Sequence, residues 1–195
     1  MTTTAFARFV AASGLTNLAD GIATVAWAWL ASLLTRDPLL IALVAVALRL
    51  PWFFFAIPAG VITDRVDRRL LILRMDMLRG VAFAFAAVAI WTAVPLAPPT
   101  TALTQPGLYI AILSAATIVG IAEVFRDNAA QTMLPALVPQ DRLEKANGRL
   151  WSVELVGNAL LGPALGAFLI AAALPLPFAV GALAYVASVF LVLGI

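Results

Sequence analysis

Apolar residues fall in six long runs, separated by short polar or proline-rich breaks, at about residues 6–34, 39–62, 70–94, 107–127, 146–173 and 177–195. A helix needs roughly 20 apolar residues to cross a hydrocarbon core of about 30 Å, so every run is long enough or nearly so. Arg36-Asp37-Pro38 makes the first break and the charged stretch Asp64 to Arg69 the second. Residues 95–106, with Pro95, Pro98, Pro99 and Pro106, form an uncharged loop. A further break runs from Pro135 to Arg142, and Pro175 with Pro177 makes the last tight turn. Membrane strands would instead give segments of about ten residues with alternating polarity. The first run is too long for a cleaved signal peptide, and a second span follows it almost at once. The pattern predicts an all-α polytopic membrane protein with six transmembrane helices.

Composition agrees with lipid as the main solvent. The 195 residues are 64% hydrophobic and 11% charged, with a mean hydropathy of +1.05. A soluble domain carries roughly 45–50% apolar and about 25% charged residues, so soluble-enzyme and disordered classes are excluded. The chain has no Cys and no His, which removes disulfides, thiol nucleophiles, the common zinc sites and histidine acid–base catalysis. No enzymatic activity, cofactor or metal is expected. A formal net charge of +2 is too small to suggest nucleic acid as a partner.

The position of the basic residues matters more than their sum. Arg65, Arg68, Arg69, Arg74 and Arg79 surround the second connection, and Arg126, Arg142, Lys145 and Arg149 the fourth. The opposite side has Arg36 alone, and the 95–106 and 173–177 connections carry no charge. The positive-inside rule then places both termini in the cytoplasm of a multi-pass cell-membrane (inner or plasma membrane) protein. The last span stops at Ile195 without a basic anchor, which suggests the front part of a longer chain; a short six-helix protein is the alternative.

Ionisable residues inside a span are expensive and therefore functional candidates. Asp20 lies near the middle of the first helix, on one face with Ser13, Asn17 and Thr24. Arg49 is near mid-depth in the second helix and is expected to pair with Asp20, either to fix packing or to serve substrate or proton. Glu154 shares a face of the fifth helix with Asn147, Trp151 and Asn158; it reads equally as a proton-linked carboxylate or as an interhelical hydrogen-bonding group. Glu123, Arg126 and Asp127, at the inner end of the fourth helix, and Asp76 and Arg79, at that of the third, read as an interfacial salt-bridge cluster. Gly157, Gly162, Pro163 and Gly166 give the fifth helix a small-residue face and a kink site.

One loop is more specific. Gly60-Val61-Ile62-Thr63-Asp64-Arg65-Val66-Asp67-Arg68-Arg69 resembles the connection between helices 2 and 3 of the major facilitator superfamily, matching it at Gly60, Asp64, Arg65, Arg68 and Arg69. Asp67 replaces the glycine of the general pattern, as in macrolide-efflux and enterobactin-exporter-like carriers. The Gly157-to-Gly166 run resembles the helix 5 motif of exporters and antiporters, with Ala167 in place of the last glycine. Gln131, Leu134, Pro135, Val138, Pro139, Arg142, Ala146 and Asn147 resemble that subgroup's fourth connection, and Asp20-Gly21 its first helix.

The resemblance spans essentially the whole chain. It implies residues 1–195 as the N-terminal half of a twelve-helix carrier, an inverted three-plus-three repeat working by alternating access. Helices 1, 2, 4 and 5 would face the pathway, with 3 and 6 outside. Asp64 and Arg68 would form a cytoplasmic latch, meeting Arg126 or Asp127 on helix 4 and a C-terminal six-helix half, fused, separate or a second copy. The expected function is proton-coupled export of a small amphipathic substrate, the apolar lining including Trp27, Trp52, Phe53 and Trp151. Alternatives are a half-carrier completed by a partner, a transport-incompetent fragment, and a non-transporting membrane scaffold.

Overall fold

The computed structural model describes residues 3–195, and the described residues form helices without strands. Six helical rods run in series: α1 (Thr3–Leu34), α2 (Pro38–Thr63), α3 (Arg68–Ala93), α4 (Pro106–Leu137), α5 (Gln140–Ala172) and α6 (Leu176–Leu193). Five of them are long and apolar enough to cross a membrane; α3, with Arg74, Asp76 and Arg79 in its first half, is the exception. Asp37 accepts a hydrogen bond from the Leu39 amide at 2.8 Å and starts α2, with Pro38 in the first turn. Asp67 does the same for α3 through the Leu70 amide, also at 2.8 Å.

The fourth helix departs from the sequence expectation. It continues to Leu137, with Pro135 inside its last turn, and the break falls at Val138-Pro139. Pro135 costs the hydrogen bond to the Gln131 carbonyl and crowds that oxygen, but the helix has only two residues left to run. Glu123, Arg126 and Asp127 consequently lie well inside α4 instead of at its end. α5 is irregular: Leu155–Leu161 widens into a π-helical turn just before Gly162-Pro163.

α4 packs between α2 and α3, while α1 packs against α5 and α6 and α3 also meets α6. Two apolar clusters result. One gathers Ala19 to Leu34 of α1, Ala82 to Ile90 of α3, Leu108 to Val119 of α4, and Phe178 and Tyr185 of α6. Its centre is aromatic, with Trp27 and Phe178 rings 4.6 Å apart and Phe83 and Tyr185 rings 5.1 Å apart. The other, at the end bearing the Asp64–Arg69 connection, gathers Phe9, Ile72, Met133, Leu134 and Val192. Between these two clusters, on all four of α1, α3, α4 and α6, lies a layer of polar and charged side chains.

Candidate functional site

The layer is built from two buried ion pairs. Asp20 of α1 accepts hydrogen bonds from the Arg79 guanidinium of α3 and from the Tyr185 hydroxyl of α6, the latter at 2.5 Å. The guanidinium carbon of Arg79 lies 4.6 Å from the centre of the Tyr185 ring, a cation–π contact. Asp76 of α3 accepts from the Ser188 hydroxyl of α6 at 2.7 Å and faces Arg126 of α4 at 3.5 Å. Arg126 donates onward to Ser13 of α1 at 3.1 Å and to Asp127 at 3.3 Å. The side chains of Arg79, Asp76 and Arg126 are at most 4% exposed. Asp20 and Asp76 cancel Arg79 and Arg126, and hydrogen bonds replace part of the lost water, while Asp76 Oδ1, Arg79 Nε and Arg126 Nε find no hydrogen-bond partner among the described residues.

Next to this neutral core the unit presents a polar face. Arg49 of α2 stands 3.6 Å from Glu123 of α4, with 68% of its side chain exposed. A recess of about 350 Å³ between α1, α4 and α5 is lined by Asn17, Asp127, Gln131, Asn147, Trp151 and Glu154. A much narrower one, bounded by α1, α2, α4 and α5, has Asp20, Thr24, Arg49, Glu123 and Asn158 on its walls. Glu154 is exposed and makes no ion pair among the described residues. Trp151 borders the larger recess and Phe53 is fully outward, whereas Trp27 is buried against Phe83 and Phe178.

Two pairings differ from the sequence expectation. Asp20 takes Arg79, not Arg49, because its carboxylate lies against α3 and α6 while Arg49 projects from α2 toward α4. Arg126 and Asp127 do not meet Asp64. With α4 continuing to Leu137, Arg126 is 11 residues from the helix end, about 16 Å along the axis, and turns to Asp76. Tyr185 and Ser188 were missed outright. The available signal was that they are the only hydrogen-bonding side chains in α6, one turn apart on one face.

The α2–α3 connection is tied down from several sides. Arg68 reaches Asp64 at 3.9 Å and donates to the Thr132 carbonyl of α4 at 3.0 Å. Arg69 donates to the Val192 carbonyl at 3.0 Å and to that of Leu193, and Arg8 donates to Gly194. Guanidinium groups thus satisfy the free carbonyls at the C-terminus of α6, where the helix dipole favours positive charge. Asp64 and Arg65 are exposed, and a Cβ on Gly60 would meet open space. A family model described as transmembrane secretion effector, of the major facilitator superfamily, matches residues 1–194. The chain belongs to this transmembrane secretion effector family. No curated protein and no solved structure matches the chain.

Membership makes the chain an integral membrane protein of a transporter superfamily whose members are in general not enzymes. In this chain the glycines of α5 pack directly on α1. A Cβ on Gly162 would fall within 2.7 Å of the Gly21 backbone, and one on Gly166 would lie 3.1 Å from the Ile22 carbonyl carbon. A Cβ on Gly157 would be 3.1 Å from the Leu18 amide nitrogen. Such backbone-to-backbone approach is how helices associate in lipid, where hydrophobic drive is absent. Pro163 has no N–H to donate, and the π turn lies immediately before it, with the Gly162 amide bonded to the Gly157 carbonyl.

Proposed function

We propose that this chain is the N-terminal six-span half of a secondary carrier that exports small amphipathic molecules in exchange for protons by alternating access. The observation that carries the reading is the polar face. Arg49, Asp127, Glu154 and Asn158 lie on helices that otherwise present apolar surface, in and around two recesses. A charged side chain at the bilayer centre costs about 2.5–3.5 kcal/mol even on insertion scales. That face therefore calls for water or for a second protein surface, as the wall of a transport pathway would have.

On this reading α1, α2, α4 and α5 line the path and all six helices cross, with both termini cytoplasmic in the cell membrane. The opposite wall is a second six-helix unit, fused, separately encoded or a second copy. Asp20 and Glu154 are the carboxylates that take up and release protons. Asp64, Arg65, Arg68 and Arg69 with Gly60 form a latch that meets the second unit at the cytoplasmic surface, and Gly157, Gly162, Pro163 and Gly166 let α5 move over α1. The combination of Trp151, Leu134 and Leu150 with amide and carboxylate neighbours in the larger recess favours an amphipathic substrate.

The test is flux in vesicles carrying the protein with its second unit, with an imposed pH gradient and an amphipathic fluorescent dye as substrate. Gradient-driven dye movement is expected, falling at least tenfold in Asp20→Asn and in Glu154→Gln. Glu154 is exposed and makes no ion pair among the described residues, so its variant separates lost transport from lost folding. Dye movement indifferent to the gradient, or unchanged in both variants, would overturn the proposal.

A further inference from the structure

The flank formed by α3 and α6, separated from the larger polar recess by the Asp76–Arg126 pair, carries an apolar groove of about 690 Å³. Gly80, Ala84 and Ala87 of α3 and Ala179 and Ala182 of α6 hollow it out, since none has a side chain beyond Cβ. Val81, Val88, Leu183 and Phe190 stand as its rims, each more than half exposed. Its one polar neighbour is Asp76, which is turned inward to Ser188 and Arg126 and offers no free charge. In a bilayer such a groove fills with hydrocarbon, because an unfilled void loses dispersion contacts along its whole lining.

One residue gives that hydrocarbon a preferred headgroup. Arg74 precedes Met77, Val81, Ala84 and Val88 at spacings of 3, 4, 3 and 4, and so continues the groove-lining face of α3 toward its N-terminus. It is exposed and makes no ion pair or side-chain hydrogen bond among the described residues, in contrast to Arg68, Arg69, Arg79 and Arg126. Helical side chains lean toward the helix N-terminus, which here is the end bearing the Asp64–Arg69 connection. A guanidinium at this position is within reach of the headgroup level beside the mouth of the groove.

We infer that the α3–α6 groove and Arg74 together form a binding site for an anionic phospholipid of the leaflet on the Arg68 side, with an acyl chain in the groove and the phosphate at Arg74. The apolar trough supplies position and the unpaired cation supplies selectivity. A zwitterionic lipid fills the same trough but brings its own cation to Arg74. One arginine near the surface favours an anionic headgroup about fivefold.

The experiment is native mass spectrometry of the purified protein in a neutral detergent, with equimolar phosphatidylglycerol and phosphatidylcholine of matched chains. The first bound lipid should be phosphatidylglycerol by about fivefold. Arg74→Gln should bring the ratio close to one, whereas Arg149→Gln, an exposed arginine on α5, should leave it unchanged. Ala84→Phe, filling the trough, should abolish the tight first adduct of either lipid. Lipid-free melting temperatures should match the parent in all three variants, since none of these side chains is buried. Equal retention of the two lipids, a preference that survives Arg74→Gln, or a first adduct that survives Ala84→Phe would each overturn the site.

Discussion

Arg79 on α3 donates to the Asp20 carboxylate on α1, 59 residues earlier in the chain, and Tyr185 on α6 contacts both partners, bonding the carboxylate and lying under the guanidinium. Three helices that are distant in sequence are thus held at one depth by a single carboxylate. Breaking a buried pair by removing one partner typically costs about 3–5 kcal/mol, because the other charge is left uncompensated. Arg79→Gln and Asp20→Asn should each lower the melting temperature and the monodisperse yield in detergent, and the double variant should regain a substantial part of the loss. Losses that simply add would show that the pair contributes no coupling. Combining Asp20→Asn with Arg49→Gln should give no such recovery.

Tyr185 can be tested more gently. Tyr185→Phe keeps the ring under Arg79 and deletes only the hydroxyl that donates to Asp20. Hydrogen bonds to charged groups contribute about 1.5–3 kcal/mol, so a measurable drop in melting temperature is expected. Ser188→Ala should behave alike through Asp76. A melting curve superimposable on the parent would mean that the hydroxyl contributes nothing.

Two glycines should respond in opposite ways. Gly166→Ala forces a methyl against the Ile22 backbone, an overpacking that costs about 1–3 kcal/mol. Gly60→Ala meets nothing within 4 Å, and alanine is the better helix former by roughly 0.5–1 kcal/mol. Its melting temperature should hold or rise. Should Gly60→Ala nonetheless reduce flux, the methyl must collide with a surface outside this chain, as the proposed second unit would supply.

Asp67 departs from the glycine of the general superfamily pattern, and the fold gives it a task. Its carboxylate caps α3 through the Leu70 amide. Asp67→Ala should cost about 0.5–2 kcal/mol of stability, whereas Asp67→Gly should cost only a few tenths. Thermal melts of the two variants side by side decide the matter; equal losses would deny the carboxylate a capping role.

The helices were legible from the chain because proline, glycine and charge punctuate it where the backbone turns: Asp37-Pro38, Asp64 to Arg69 and Pro175 all fall at helix ends. The fourth helix end was not legible, since the apolar run stops at Arg126-Asp127-Asn128 while the helix carries on through these polar residues and Pro135 to Leu137. Misplacing that end by ten residues made Arg126 look interfacial. Helical spacing put Asn17 on a polar face of the first helix and Asn147, Trp151 and Glu154 on one of the fifth; that the two faces meet across a recess did not follow from it. Nor did pairing, because it depends on which helices touch and how each is rotated. Asp20 has Arg49 and Arg79 both near its depth, and the packing of α1 and α3 on α6 selects between them.

The stacking of an apolar cluster, a charged layer and a second apolar cluster restricts how this molecule can move. Sliding α1 past α3 by a single turn, about 5.4 Å, would strip Asp20 of Arg79 and drive both into surroundings that solvate neither. Rotating either rod on its axis would do the same. The inner helices are in effect pinned at their waist, so any large rearrangement must carry α1, α3, α4 and α6 together as one block. Compliance is left to the widened turn of α5.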